Sequence, residues 1–183
     1  MSSSSTPNTP RDEYAPTEFD QPRDRRIIVL AISALVVILD RVTKHIVAQQ
    51  LPNGQTITVI PGIFRISDVH NTGAAFSMFA ENASPVTVRN ILIAFSVVAV
   101  IVLFGMLWRT GRAITLTSVA LALILGGAFG NLYDRIRYHY VIDFLEVHIV
   151  HYHWPDFNVA DSCIVIGAYL LMIEILRPPP TIS

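Results

Sequence analysis

Long apolar runs alternate with polar stretches along this chain, and their lengths set the first expectation. A helix rising about 1.5 Å per residue needs roughly 20 mostly apolar residues to cross about 30 Å of hydrocarbon. Four segments are long enough, approximately residues 27–47, 86–108, 114–133 and 159–176, and each is predicted to be a membrane span. The second and third are joined only by a few residues around RTGR, so the remaining polar sequence falls into two insertions, 48–85 and 136–158. An even number of spans places both termini on one side and both insertions on the other. In the first insertion, QTITVIPGIFRISDV sets apolar and β-branched residues about a Pro-Gly pair. That pattern predicts short strands, forming a small sheet on the membrane surface.

Composition agrees with a membrane assignment. Of 183 residues, 52% are hydrophobic and 15% charged, against about 25% charged in a typical soluble domain. The formal net charge of −1 provides no polybasic surface, and no nucleic-acid-binding motif is present, which sets that class aside. The one cysteine, Cys163, allows no intrachain disulfide and reads as a small apolar residue within the last span. Residues 1–24, rich in Ser, Thr, Pro and charge, hold too little apolar surface to order and read as a disordered tail. The domain proper is expected over residues 25–178. Its first span is followed by DRVTKHIVAQQ, not by a small-residue cleavage site, so it reads as a retained anchor.

Basic residues near span ends suggest the orientation. Arg23, Arg25, Arg26, Arg109, Arg112 and Arg177 lie on the side of the termini, which the positive-inside rule makes cytoplasmic. Lys44, Arg65, Arg135 and Arg137 lie on the other side, so the bias is modest. The fold class expected is a mainly α membrane protein, with four transmembrane helices, a small extracytoplasmic sheet and a disordered N-terminal tail.

Ionisable residues at membrane depth are costly and raise the question of function. Asp40 and Lys44 are spaced for a helical ion pair, and Lys44 is the only lysine in the chain. Asn131, Asp134 and Arg135 end the third span, Asp143 follows in VIDF, and Asn158 and Asp161 open the fourth. Asp40 with Lys44, and Asp134 with Arg135, read equally as interfacial charges that pair or reach toward water. Asn158, three residues before Asp161, is placed to cap the last helix. Neither Asp143 nor Asp161 has a basic residue within four positions.

Two carboxylates brought together in a low-dielectric site share one proton and supply an acid and a base at once. The ionised member takes a proton from water attacking a peptide carbonyl, and the protonated member donates to the developing oxyanion. Asp161, at a helix N-terminus, is the preferred base; Asp134 remains a third candidate at this point. Other chemistries lack their parts. A Ser/Lys peptidase has only Lys44 to use and no nucleophile signature, and Cys163 lies inside an apolar helix. HIVHYHWPD offers His148, His151, His153 and Asp156, but this spacing matches no standard zinc site, and the stretch reads as an interfacial histidine and aromatic cluster.

Five motifs, LDRVTK (39–44), NTGAAFS (71–77), GGAFGNLYDR (126–135), VIDF (141–144) and FNVADS (157–162), occur in an order and spacing that resemble the bacterial lipoprotein signal peptidases, signal peptidase II. The resemblance covers about residues 27–176. It implies a membrane aspartic endopeptidase of the inner membrane that cuts diacylglyceryl-modified prolipoproteins before the lipidated cysteine, with no metal or organic cofactor. By that resemblance Asp143 and Asp161 are the catalytic pair, while Asp134 and Arg135 pass to a supporting motif. Asn71, Gly73, Asn131, Arg135 and Asn158 match supporting or site-lining positions, and Asp40 and Lys44 match the first-helix motif. The partners implied are prolipoprotein substrates and membrane lipid, not nucleic acid, with the chain a monomer. The rivals are a proton- or metal-ion-coupled transporter using the same aspartates as a relay, and a non-catalytic membrane scaffold. Small residues in NTGAAF and GGAFG suit either close approach of substrate and lipid or ordinary helix packing.

Overall fold

The computed structural model describes residues 23–51, 55–73, 84–150 and 152–178. Residues 1–22 of the N-terminal tail and residues 74–77 of NTGAAFS lie outside them. Four helices and four strands follow one another as α1 (Arg26–Gln50), β1 (Thr56–Ile60), β2 (Phe64–Asn71), α2 (Pro85–Thr110), α3 (Leu116–Arg137), β3 (Val141–Ile149), β4 (Tyr152–Phe157) and α4 (Val159–Leu176).

Three helices, α2, α3 and α4, are long and apolar enough to cross a membrane, with mean hydropathies of 2.8, 1.6 and 2.0. The first segment, expected on the same footing, differs. At 25 residues α1 has the reach, but Asp40, Arg41 and Lys44 interrupt its apolar run, and it meets that cost by turning Asp40 and Lys44 into the bundle.

Helix α3 is the centre of the bundle and packs against α1, α2 and α4. Its small residues make this possible. A Cβ on Gly126 would lie 2.7 Å from the Ser33 carbonyl of α1, and one on Gly130 would lie 2.7 Å from Asp40 Oδ2. These glycines therefore serve helix packing, which decides the alternative left open for GGAFG. Ser33 Oγ reinforces the contact by donating to the Ala122 carbonyl at 2.9 Å. Helix α2 contacts the bundle mainly through α3 and exposes apolar side chains such as Phe95 and Ile101, as expected of a surface facing lipid.

The strands form one antiparallel sheet in the order β1-β2-β3-β4. The predicted Pro-Gly turn is present between β1 and β2, with Gly62 at φ 74°, in the left-handed region that glycine adopts freely. Strands in the second insertion were not expected; β3 forms there and pairs with β2, joining segments some 70 residues apart, and β4 pairs with β3. Phe144 packs with Val47 and Leu51 at the end of α1, so the sheet closes one end of the bundle. At the other end, Arg26 Nε donates to the Trp108 carbonyl at 2.8 Å and its guanidinium stacks on the Trp108 ring at 4.6 Å. The start of α1 and the α2–α3 connection thus share the end opposite the sheet.

Candidate active site

Where α3 ends and α4 begins beneath the sheet, two sets of carboxylates lie side by side. The first set is ionic. Lys44 Nζ contacts Asp40 Oδ2 at 2.9 Å and Asp134 Oδ2 at 2.7 Å, and Arg41 pairs with Asp134 from the same helix as Lys44. Asp40, Lys44 and Asp134 are at most 1% exposed. Asp40 Oδ1 also accepts from the Ala160 backbone N–H at 3.1 Å, tying α1 to the first turn of α4.

This arrangement corrects two expectations. Asp40 and Lys44 do pair, but they are buried instead of reaching toward water. Asp134 pairs not with its neighbour Arg135 but with Lys44 and Arg41 across the helix interface, because residues three to four apart share a helical face and adjacent ones do not. Arg41 is the member that sequence reasoning passed over as a partner. Its signal was its place beside Asp40 in LDRVTK. Arg135 faces elsewhere, donating to the Asn131 carbonyl at 3.5 Å and lying within Coulombic range of Asp143 and Asp161.

The second set is held by amides. Asp143, buried on β3, accepts from Asn71 Nδ2 at 2.9 Å on Oδ2 and from Asn158 Nδ2 at 2.7 Å on Oδ1. Asp161 accepts from Asn131 Nδ2 at 2.7 Å on Oδ1 and from the Asn158 backbone N–H at 3.2 Å on Oδ2. Asn158 also caps α4, its Oδ1 accepting from the Asp161 N–H at 2.9 Å; the capping reading and the site-lining reading therefore both describe it. Among the described residues neither carboxylate makes a salt bridge.

The two sets meet at Asn131. Its Oδ1 accepts from Lys44 Nζ at 3.1 Å and from Asn158 Nδ2 at 3.3 Å, which turns its amide N–H toward Asp161. Asn71 is fixed in the same manner, its Oδ1 accepting from the Gly73 N–H at 2.8 Å. Gly73 has φ 83°, and a Cβ there would lie 2.6 Å from Leu92 of α2. A side chain at 73 would be strained by that backbone and would have to displace the end of Leu92.

Burial, opposed by the hydrogen bond from Asn71 and aided by the nearby Asp161 charge, lifts the Asp143 carboxyl to about 6. Asp143, Asp161 and Asn71 open into a cleft of about 590 Å³, walled by Trp154, Pro155, Asp156 and Phe157 of β4 and by Ser162, Val165 and Ile166 of α4. Trp154, Pro155 and Asp156 were not expected at the site from sequence, because β4 itself was not foreseen.

A family model described as Signal peptidase (SPase) II matches residues 32–177. The chain belongs to the signal peptidase II family. It is 45% identical over 155 residues to the lipoprotein signal peptidase of Alteromonas mediterranea, covering 85% of this chain and 84% of the relative. It is also 45% identical over 153 residues to that of Pseudomonas putida, covering 83% and 88% respectively. A bacterial membrane enzyme solved by the in meso method at 1.9 Å superposes with a TM-score of 0.73 at 30% identity, over 83% of this chain and 94% of the other. Four helices with a small antiparallel sheet are thus the fold of a bacterial signal peptidase II membrane protein.

Proposed function

We propose that Asp143 and Asp161 form the catalytic pair of this enzyme, cutting diacylglyceryl-modified prolipoproteins before the lipidated cysteine. The activity itself goes with the family: the chain is a lipoprotein signal peptidase, an aspartic peptidase that removes signal peptides from prolipoproteins. The observation that carries the residue assignment is the amide-held pair. Two neighbouring carboxylates, neither in a salt bridge among the described residues, share a proton, and both face a mainly apolar cleft.

Asp143, lifted toward neutrality by burial, is the acid, and Asp161 at the head of α4 is the base. Asp161 takes the proton of the attacking water as it adds to the scissile carbonyl. Asp143 donates its proton to the developing oxyanion, giving a neutral tetrahedral intermediate. Collapse returns that hydroxyl proton to Asp143, and Asp161 passes its proton to the departing amine. Asn71, Asn131 and Asn158 hold the carboxylates in register, while Arg135 and the Lys44 cluster support them. The hydrolysis requires no metal or organic cofactor.

A lipid-anchored substrate enters the cleft from the bilayer and does not have to be drawn from bulk water. The sheet and active site face the extracytoplasmic side of the inner membrane, with both termini cytoplasmic. Supporting this is the grouping of Arg25, Arg26 and Arg112 at the end opposite the sheet. One chain supplies every member of the site, and the enzyme acts as a monomer. Residues 25–178 are the peptidase unit, and the cytoplasmic tail 1–24 stands outside it.

A gel-shift assay with purified protein in detergent and a lipidated prolipoprotein tests this reading. Chelator-resistant cleavage that disappears in Asp143→Asn and in Asp161→Asn is expected, with cleavage retained when residues 1–22 are deleted. Equal cleavage by either asparagine variant would sink the pair and return the carboxylates to a relay or scaffold role.

A further inference from the structure

Away from the catalytic pair, β3 and β4 bring together a second set of ligating side chains. We infer that Glu146, His148, His153 and Asp156 form a binding site for a divalent transition-metal ion of the Zn²⁺ class. His148 and His153 are direct cross-strand partners whose rings stack at 4.8 Å, with 21° between planes. Both turn Nε2 toward Glu146 Oε1, at 2.6 Å and 3.7 Å, and His153 Nε2 lies 3.3 Å from Asp156 Oδ1. The ligand atoms of Glu146, His148 and His153 all fall within 4.8 Å of one another. Around zinc, with bonds of about 2.0–2.2 Å, tetrahedral ligand atoms stand roughly 3.3 Å apart, so small side-chain rotations suffice to close the set.

Hydrogen bonding alone does not use this arrangement fully. His148 satisfies the Glu146 oxygen, whereas His153 is too far from it for a hydrogen bond. One cation between two imidazoles and two carboxylates engages all four groups, and a mixed N/O set suits Zn²⁺, Ni²⁺ or Cu²⁺ better than Ca²⁺ or Mg²⁺. The competing positive group is Arg65 on β2, which reaches Glu146 Oε1 at 3.4 Å and is 42% exposed, free to swing aside.

Alternation along β3 puts Glu146 and His148 on the face opposite Asp143, and of the four ligands only Asp156 also borders the cleft. The ion's place is structural. It braces β3, which carries Asp143, against β4, whose Trp154 and Asp156 wall the cleft.

The test is titration of Zn²⁺ alone into the purified full chain in detergent, free of any histidine tag and competed against a chromophoric chelator. One ion per chain is expected, with His148→Gln and His153→Gln each weakening binding at least ~10-fold. His45→Gln, on exposed α1 surface, is expected to bind as wild type, and Arg65→Gln more tightly as a competing charge is lost. Co²⁺ added to the wild type should give the visible absorption of a four-coordinate N/O site, a readout that needs no variant. No saturable binding, equal weakening in His45→Gln, or weaker binding in Arg65→Gln would each overturn the site.

Discussion

Two carboxylate pairs share the end of this bundle and are held in opposite ways. Asp40 and Asp134 are neutralised by Lys44 and Arg41; Asp143 and Asp161 are held by asparagine amides and by the backbone at the head of α4. The first arrangement locks ionised groups in place, because each buried charge has its counter-charge. The second orients the carboxylates without quenching them, leaving a proton free to move between bound and released states. On the proposed assignment, the same residue type serves packing in one region and chemistry in the other, and the partner makes the difference. Asn131 joins the two, accepting from the ammonium and donating to Asp161.

The largest effect expected is on the amide-held pair. Asp143→Asn or Asp161→Asn should lower the cleavage rate by about 10³-fold or more, the range for losing a general acid or base, while leaving insertion and helix content unchanged by circular dichroism. If instead Asp134→Asn alone abolished cleavage with its fold intact, the division between the pairs would be broken.

The ionic pair should answer in stability. Lys44→Met leaves Asp40 and Asp134 buried without the ammonium between them and should cost about 3–5 kcal/mol, as other severed buried pairs do, seen as a lower thermal midpoint in detergent. An unchanged midpoint would show that the cluster does not hold α1 to α3 and α4.

A smaller effect sharpens the role of the amides. The Asn71 hydrogen bond favours the ionised form of Asp143, so Asn71→Ala should move the Asp143 titration upward by roughly one to two units, taking a charged hydrogen bond as about 1.5–3 kcal/mol. In the pH–rate profile, loss of the shared proton disables the acid, so the wild-type rate should fall as pH rises from about 6, and that limb should shift to higher pH in Asn71→Ala. A limb that stays in place would separate Asn71 from the reacting pair.

The smallest expectation concerns stability and pH. Because burial raises Asp143 to about 6 in the folded chain, the folded state holds a proton that the unfolded state, near the ordinary value of about 4, has released. This group therefore opposes folding above about pH 6, and its cost disappears as pH falls from 6 to 4. Wild type should gain stability relative to Asp143→Asn over that interval, and a constant difference in melting temperature would remove the buried-acid account.

Local pattern determined the apolar runs, the first hairpin and which polar residues stand at membrane depth. Span lengths and the Pro-Gly turn are fixed by spacing within a few residues, and the order of five short motifs carried the family. Tertiary structure decided the rest. Strands β3 and β4 form through pairing with β2 and with each other, a contact no local propensity encodes. Asp134 chose Lys44 and Arg41 over its chain neighbour because helix α3 faces α1 there. Asn71, Asn131 and Asn158 come from three distant segments, and only their convergence on Asp143 and Asp161 sets the amide partners. The histidines of HIVHYHWPD showed no metal spacing along the chain, since His153 of β4 meets Glu146 and His148 of β3 only through the register of the two strands. Partners close in sequence are legible because chain geometry limits their positions; partners distant in sequence are set by which faces the whole fold buries together.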